Sequence, residues 1–235
     1  MSLHPPMAAP TLAVAAEFQN RFVRDAHILV AEGYSRLAPE TLAKKSEEAI
    51  SGAIVQHAED WLDEPSTPSW TQCYFIKPEI AERLSPQEGR HRPRIDIYVE
   101  SSAARPRPRF AFEAKRMYRS DSIAAYVGPE GLGAFVDGTY VPDAPAAAML
   151  GFVQDPQFAA CVSQLRDKVD ENRAGYGVAR WGSVWASSTL DARLGPTWIT
   201  HHTRLVGTPV AIYHSFLRCH GATAGVRHRA SRNTP

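Results

Sequence analysis

Cysteine is scarce. Cys73, Cys161 and Cys219 are the only three among 235 residues, and they lie far apart. An odd count at such spacing makes neither a disulfide framework nor a CxxC site, and it points to a reducing cytoplasm. Long apolar runs are missing too: none approaches the ~18 residues of a membrane span, so no membrane partner is expected. The N-terminal stretch MSLHPPMAAPTLAVAA lacks a basic leader and runs into a helix-like pattern rather than a processing site. Charge of one sign is not in excess. The net charge is +1, so affinity for a polyanion must come from local clustering. There is no internal repeat and no evident linker. With 44% hydrophobic and 22% charged residues, the chain reads as an ordinary globular protein with one sizeable domain.

Several common chemistries also lack their residues. GPEGLGAFVDG is glycine-rich but has no GxxxxGK(S/T) lysine and no strand-to-helix setting, so it reads as a packed loop or a lid. Asp137 and Asp143 within that region read as turn residues. No GxSxG elbow is present. The late histidines His201, His202, His214, His220 and His228, even with Cys219, match no compact zinc spacing, and His214 reads as a core histidine. Trp181, Trp185 and Trp198 read as core.

Periodicity supplies the elements. Leu12, Ala15, Phe18, Phe22, Ala26 and Leu29 predict a helix over 10–32, with dimerisation as one possible use. A second helix is predicted over 38–63, with Ile50, Ile54, His57 and Trp61 on one stripe. Glu47 continues that stripe, while Glu48 points about a quarter-turn away. A strand follows at 72–77, then a polar insert, LSPQEGRHRP. Residues 119–151 read as a long loop-rich excursion, and 156–173 as a helix with Pro156 in its first turn. Val184–Ser188 and Pro209–Phe216 read as strands, and the last fifteen residues as a frayed basic tail.

The chemistry lies between. RIDIYVE (94–100) and RFAFEAKR (109–116) alternate as strands. Ile95, Ile97 and Val99 share one face, as do Phe110, Phe112 and Ala114. If Glu100 opposes Arg109 in a hairpin, Asp96 falls opposite Glu113, roughly 5 Å away at Cβ. Two carboxylates so close favour a divalent cation between them. A hard ion such as Mg²⁺ takes oxygen ligands, which Asp96, Glu113 and the Ala114 carbonyl can supply, with Glu47 adding an outer oxygen. Lys115 then stands ready to hold a water or to balance phosphate charge. Around these residues lie Arg90, Arg92, Arg94, Arg105, Arg107, Arg109, Arg116 and Arg119, against three acids. Such a basic zone suits a phosphate backbone, and Tyr98 and Tyr118 offer rings for base stacking, although core or surface packing is the first reading of each ring alone.

The pattern resembles the PD-(D/E)xK nuclease superfamily across roughly residues 40–190. The metal-binding aspartate of the family falls on Asp96 and the (D/E)xK element on Glu113, Ala114 and Lys115. The family's helical glutamate falls on Glu47 or Glu48, and a polar residue on the following helix falls on Gln164. Pro93 stands three residues before Asp96 rather than beside it. The resemblance implies a restriction-endonuclease-like α/β fold, a mixed sheet flanked by helices with an αβββαβ core. It divides the chain into an N-terminal helical extension (1–37), a nuclease-like domain (38–220) and a basic tail (221–235). It implies Asp96, Glu113, Ala114 and Glu47 or Glu48 as metal ligands, with Lys115 and Gln164 as further site residues. The metal would be Mg²⁺, with Mn²⁺ able to substitute. Arg94, Arg105, Arg107, Arg109, Arg116 and Arg119 would meet DNA. The activity implied is an endonuclease, with a role in antiviral defence or restriction by analogy. A homodimer or a targeting subunit would supply direction. The alternative is an inactive nucleic-acid-binding or assembly subunit with the same fold.

Overall fold

The computed structural model describes residues 12–81, 92–179 and 185–221. Two long helices come first, α1 (Leu12–Ser35) and α2 (Glu47–Leu62). Three strands follow, β1 (Tyr74–Ala81), β2 (Arg94–Ser101) and β3 (Arg109–Met117). Next come α3 (Ser120–Val127), α4 (Leu132–Val136), β4 (Ala146–Val153) and α5 (Phe158–Glu171). Strands β5 (Ala186–Ser188), β6 (Thr197–His202) and β7 (Val210–Arg218) are the last of the described elements.

The strands form one seven-stranded mixed sheet in the order β1-β2-β3-β4-β7-β6-β5. β1, β2 and β3 pair antiparallel, β4 lies parallel to both β3 and β7, and β5, β6 and β7 pair antiparallel. Helices cover both faces. Against one face, Phe22 and Leu29 of α1 and Ile50 and Ile54 of α2 pack on Val99, Phe110, Phe112 and Leu150. Against the other, Tyr126, Phe135 and Leu165 pack on Ala147, Met149, Ile212 and Phe216. The boundary expected at residue 37 falls inside this body, because α1 belongs to the first core. A Cβ at Gly33 of α1 would lie 2.0 Å from the Ile54 carbonyl oxygen, so the α1–α2 crossing admits only glycine there. No described helix is long and apolar enough to cross a membrane.

Several elements differ from the sequence reading. The helix expected over 38–63 is a 3₁₀ turn (Pro39–Leu42) followed by α2, which starts after the cap Ser46. The Ser46 hydroxyl accepts from Ala49 N at 3.3 Å, so the KKSEE run marks a helix start rather than a helix interior. His57 is half-exposed, and Ala58 takes the buried place beside Ile54. The excursion at 119–151 holds α3, α4 and most of β4. All eight residues of β4 are buried, so it shows a continuous apolar run instead of alternation. GPEGLGAFVDG is a packed junction with Leu132, Ala134 and Phe135 in the core. Pro156 precedes the α5 N-cap, Gln157, rather than lying in the first turn. TWITHH, unremarked for strand character, forms β6. Most of the LSPQEGRHRP insert, Trp181, Val184, His228 and the tail from 222 lie outside the described residues.

The succession α2–β1–β2–β3–α3–β4 reproduces the order helix, three strands, helix, strand. The crossover after β3 is made by α3 and α4, not by the helix at 156–173. That displacement matters for the site.

Candidate functional site

The hairpin register is as read from the sequence: Glu100 pairs with Arg109, and the ladder continues to Ile97 with Phe112. There it stops. The next step would pair Asp96 with Glu113, and at that point β2 and β3 fork. Ile95 accordingly joins the second core, away from Ile97 and Val99, which breaks the alternation expected for β2. A fork leaves the next β3 amides on the β2 side without backbone partners. Two carboxylates fill the gap. Asp96 Oδ2 accepts from Ala114 N at 2.7 Å, and Glu47 Oε2 accepts from Arg116 N at 2.9 Å. By strand geometry the Ala114 carbonyl shares that side.

Lys115 ties the rest together. Its Nζ donates to Glu113 Oε1 at 2.6 Å and to Glu47 Oε1 at 3.0 Å. Glu113 is only 3% exposed, and its Oε2 is buried with no hydrogen-bond partner. One oxygen each of Glu47, Asp96 and Glu113 lies within 4.8 Å of the others.

Burial governs the protonation of this cluster. It pushes Asp96 up to about 6, although the Ala114 amide and Lys115 pull the other way. Burial, and then the charge of Asp96, hold Glu113 well above the usual carboxylate range. For Lys115 burial favours the neutral amine, but Glu113 and Glu47 outweigh it and keep the ammonium. Three carboxylates therefore share one ammonium. Like charges some 4–5 Å apart repel by about 3–4 kcal/mol at an effective dielectric of ~20. Another cation, or protons, would relieve that repulsion. The donors are all carboxylate oxygens, which suit Mg²⁺ or Mn²⁺ better than zinc. Two oxygens on one Mg²⁺ lie at most ~4.2 Å apart, so a small rotation of these side chains lets them share an ion. The Glu113 Oε2 atom has no hydrogen-bond partner, and the carboxylate donor set fits such an ion.

The other expected site residues are distributed unevenly. Glu48 is exposed in the first turn of α2, outside the acidic group, which leaves Glu47 as the helical glutamate in the cluster. Gln164 is exposed on α5 and lines a surface depression with Ile123, Asp167 and Lys168. It stands away because α5 is not the crossover helix. A glutamine that the sequence reading missed, Gln154, does approach. It follows β4 directly, is buried, and accepts from Arg116 Nε at 2.9 Å. A polar residue closing the apolar run AAAMLGFV was the available signal.

The arginines divide between the two ends of the hairpin. Arg105, Arg107 and Arg109 lie at the turn, roughly 13 Å along the strands from Asp96. Arg107 and Arg109 pair with Glu100 at 2.7 and 3.5 Å, and Arg105 donates to the Ser102 and Ala104 carbonyls. At the acidic end, Arg94 pairs with Glu79 at 3.0 Å. Arg116 and Arg119 each place a guanidinium 4.7 Å from the ring centre of Tyr118, which is 39% exposed. Tyr98 is buried. Among the described residues no histidine or cysteine joins the acidic group, and all three thiols are free. No protein-family model, curated protein or solved structure matches the chain.

Proposed function

We propose that this chain is a metal-dependent endonuclease of restriction-endonuclease-like fold that hydrolyses phosphodiester bonds of DNA. The observation that carries the reading is the buried, half-unpartnered Glu113 beside Asp96 and Lys115 at the β2–β3 fork. The order α2–β1–β2–β3–α3–β4 supports it.

Asp96 and Glu113 would hold the ion, with Glu47 and the Ala114 carbonyl adjoining. When bound, Mg²⁺ would acidify a water and offset charge on the scissile phosphate. The remaining work falls to the chain. The Lys115 ammonium, held by two carboxylates, is placed to orient that water or to balance charge gathering on the phosphate. Asp96 and Glu47 hold the two forked amides and so fix the backbone around Lys115. Arg116 and Arg119, stacked against Tyr118, offer a cationic and aromatic flank for a strand of nucleic acid. A DNA partner, Mg²⁺ or Mn²⁺ as cofactor, a cytoplasmic setting and a defensive role belong to the same proposal. So does a homodimer or a targeting subunit.

The test is cleavage of duplex DNA with Mg²⁺ by Asp96→Ala, Glu113→Ala and Lys115→Ala. Each is expected to lose activity while retaining its circular-dichroism spectrum. Robust cleavage by all three purified variants would overturn the reading.

One observation favours a second reading, an inactive nucleic-acid-binding or assembly subunit. Lys115 already donates to two carboxylates, and both Glu47 oxygens have donors. Such a knot can serve structure alone. Calorimetric Mn²⁺ titration separates the two. Heat of binding that vanishes in Asp96→Asn supports the enzyme. DNA binding indifferent to metal, without nicking, supports the subunit.

A further inference from the structure

Glu47 is the first residue of α2, a position where helices fray. Its carboxylate nonetheless reaches both Lys115 Nζ and Arg116 N. The residues that lead into it, 43–46, form no regular element. The Ser46 cap holds the turn that follows Glu47, not the approach to it. Within the approach, Leu42 is buried and its carbonyl accepts from Lys45 N at 3.1 Å, but neither contact reaches the Arg116 amide.

Gln154 sits at that point. Its backbone N–H donates to the Met117 carbonyl at 2.8 Å, which anchors it to the end of β3. Its side-chain Nε2 donates to the Leu42 carbonyl at 2.7 Å and to the Lys45 carbonyl at 3.0 Å. Its Oε1 accepts from Arg116 Nε at 2.9 Å. One buried amide thus joins the segment entering α2 to the β3 residue whose backbone N–H Glu47 takes. Both donors and the acceptor of the amide are used.

We propose that Gln154 is a positioning residue for the acidic cluster, fixing the start of α2 so that Glu47 meets Lys115 and the Arg116 amide. Few side chains can do this. Glutamate would face two carbonyl oxygens with no proton to give. Methionine fills the space and bonds to neither carbonyl. Asparagine is one methylene short. Gln154 itself touches none of the three clustered carboxylates, so its effect passes through Glu47. Removing its hydrogen bonds leaves the Lys45 carbonyl without its donor, leaves the Leu42 carbonyl only the Lys45 amide, and loosens the approach to α2. Glu47 then withdraws from Arg116 N, and Lys115 keeps Glu113 as its remaining close partner. The consequence for metal rests on the nuclease reading, but the positioning does not.

The experiment therefore has a metal-free arm. In the full chain, amide hydrogen exchange is followed by NMR in Gln154→Met and Gln154→Glu. The Arg116 amide is expected to exchange at least about tenfold faster in both variants, while Phe112 and Leu150 keep their protection. Unchanged Arg116 protection in either folded variant overturns the proposal. The second arm measures Mn²⁺ affinity by electron paramagnetic resonance. Gln154→Met is expected to weaken binding by about tenfold. Combined with Glu47→Ala, it should add no further loss, because both act through one carboxylate. Additive losses overturn the route through Glu47. Should the wild type take no Mn²⁺, the nuclease reading fails, and the Arg116 amide still decides the positioning.

Discussion

Two buried polar networks lie on this sheet, and they solve burial in opposite ways. The second runs through β6, β7 and α3. Tyr126 Oη lies 3.0 Å from His214 Nδ1, and His214 Nε2 lies 2.8 Å from Thr200 Oγ1. Thr200 Oγ1 lies 2.6 Å from His202 Nε2, and His202 Nδ1 lies 2.7 Å from the Tyr176 carbonyl. That carbonyl can only accept, so His202 carries its proton on Nδ1. Thr200 then donates to His202 Nε2, His214 Nε2 donates to Thr200, and Tyr126 donates to His214 Nδ1. Every proton is assigned, and both rings stay neutral. Burial holds His214 well below its ordinary value and pulls His202 down to about 4.

The acidic cluster has no such closure. It buries more charge than Lys115 can balance, and it leaves Glu113 Oε2 bare. A network that only supports a fold can be neutral and complete, as the histidine chain is. In the proposed reading, a divalent cation makes up the positive charge that the acidic cluster lacks.

The sharpest way to break this comparison is to alter one network and read the other. Asp96→Asn is expected to lower DNA cleavage by about a thousandfold, the scale of single electrostatic contributors, with the fold intact. His214→Ala should do the reverse. It opens a cavity and strands Thr200 and Tyr126, costing about 3 kcal/mol in denaturant unfolding while the Mn²⁺ affinity of the folded protein is unchanged.

The pH dependence of the metal-free protein comes next in size. Asp96 has a folded value near 6 against 3.8 when unperturbed, so its stability contribution is complete below about pH 4 and is lost as pH rises through about 6. The histidines slope the other way. His27 and His202 fall from 6.5 to about 4, so their contribution is present above about pH 6.5 and is lost as pH falls toward 4. In the wild type these terms oppose each other across the same window. Asp96→Asn removes one of them. Its unfolding free energy should therefore fall more steeply than that of the wild type on acidification from pH 6.5 to 4, by on the order of 2 kcal/mol. Parallel curves for the two proteins would remove the charge-excess account of the cluster.

The smallest effect separates affinity from chemistry. Lys115→Met deletes the internal counter-ion, so Mn²⁺ should bind about tenfold more tightly even though cleavage is lost. Weaker binding in that variant would mean that Lys115 builds the site rather than competing within it.

The sequence carried the hairpin well. Alternation marked both strands, and the assumed pairing of Glu100 with Arg109 is the observed one, although the ladder ends at Ile97 and Phe112, one step short of Asp96 and Glu113. The fork beyond Ile97 was not legible, because it depends on side chains that replace backbone partners from elsewhere in the chain. Nor was β4, whose alanines favour helix and whose burial on both faces erases the period of two. That miss moved the crossover helix to α5, and with it the expected polar residue to Gln164, while Gln154 at the end of β4 went unnoticed. Helical periodicity already set Glu47 on the stripe with Ile50 and Ile54 and turned Glu48 away from it, and the cluster contains Glu47.

The most direct measurement is anomalous diffraction from a crystal soaked in Mn²⁺. The account predicts a peak within bonding distance of Asp96 and of Glu113 Oε2, with the Lys115 ammonium drawn off Glu113. A structure with no peak there, and with Lys115 still joining Glu113 to Glu47, would contradict it.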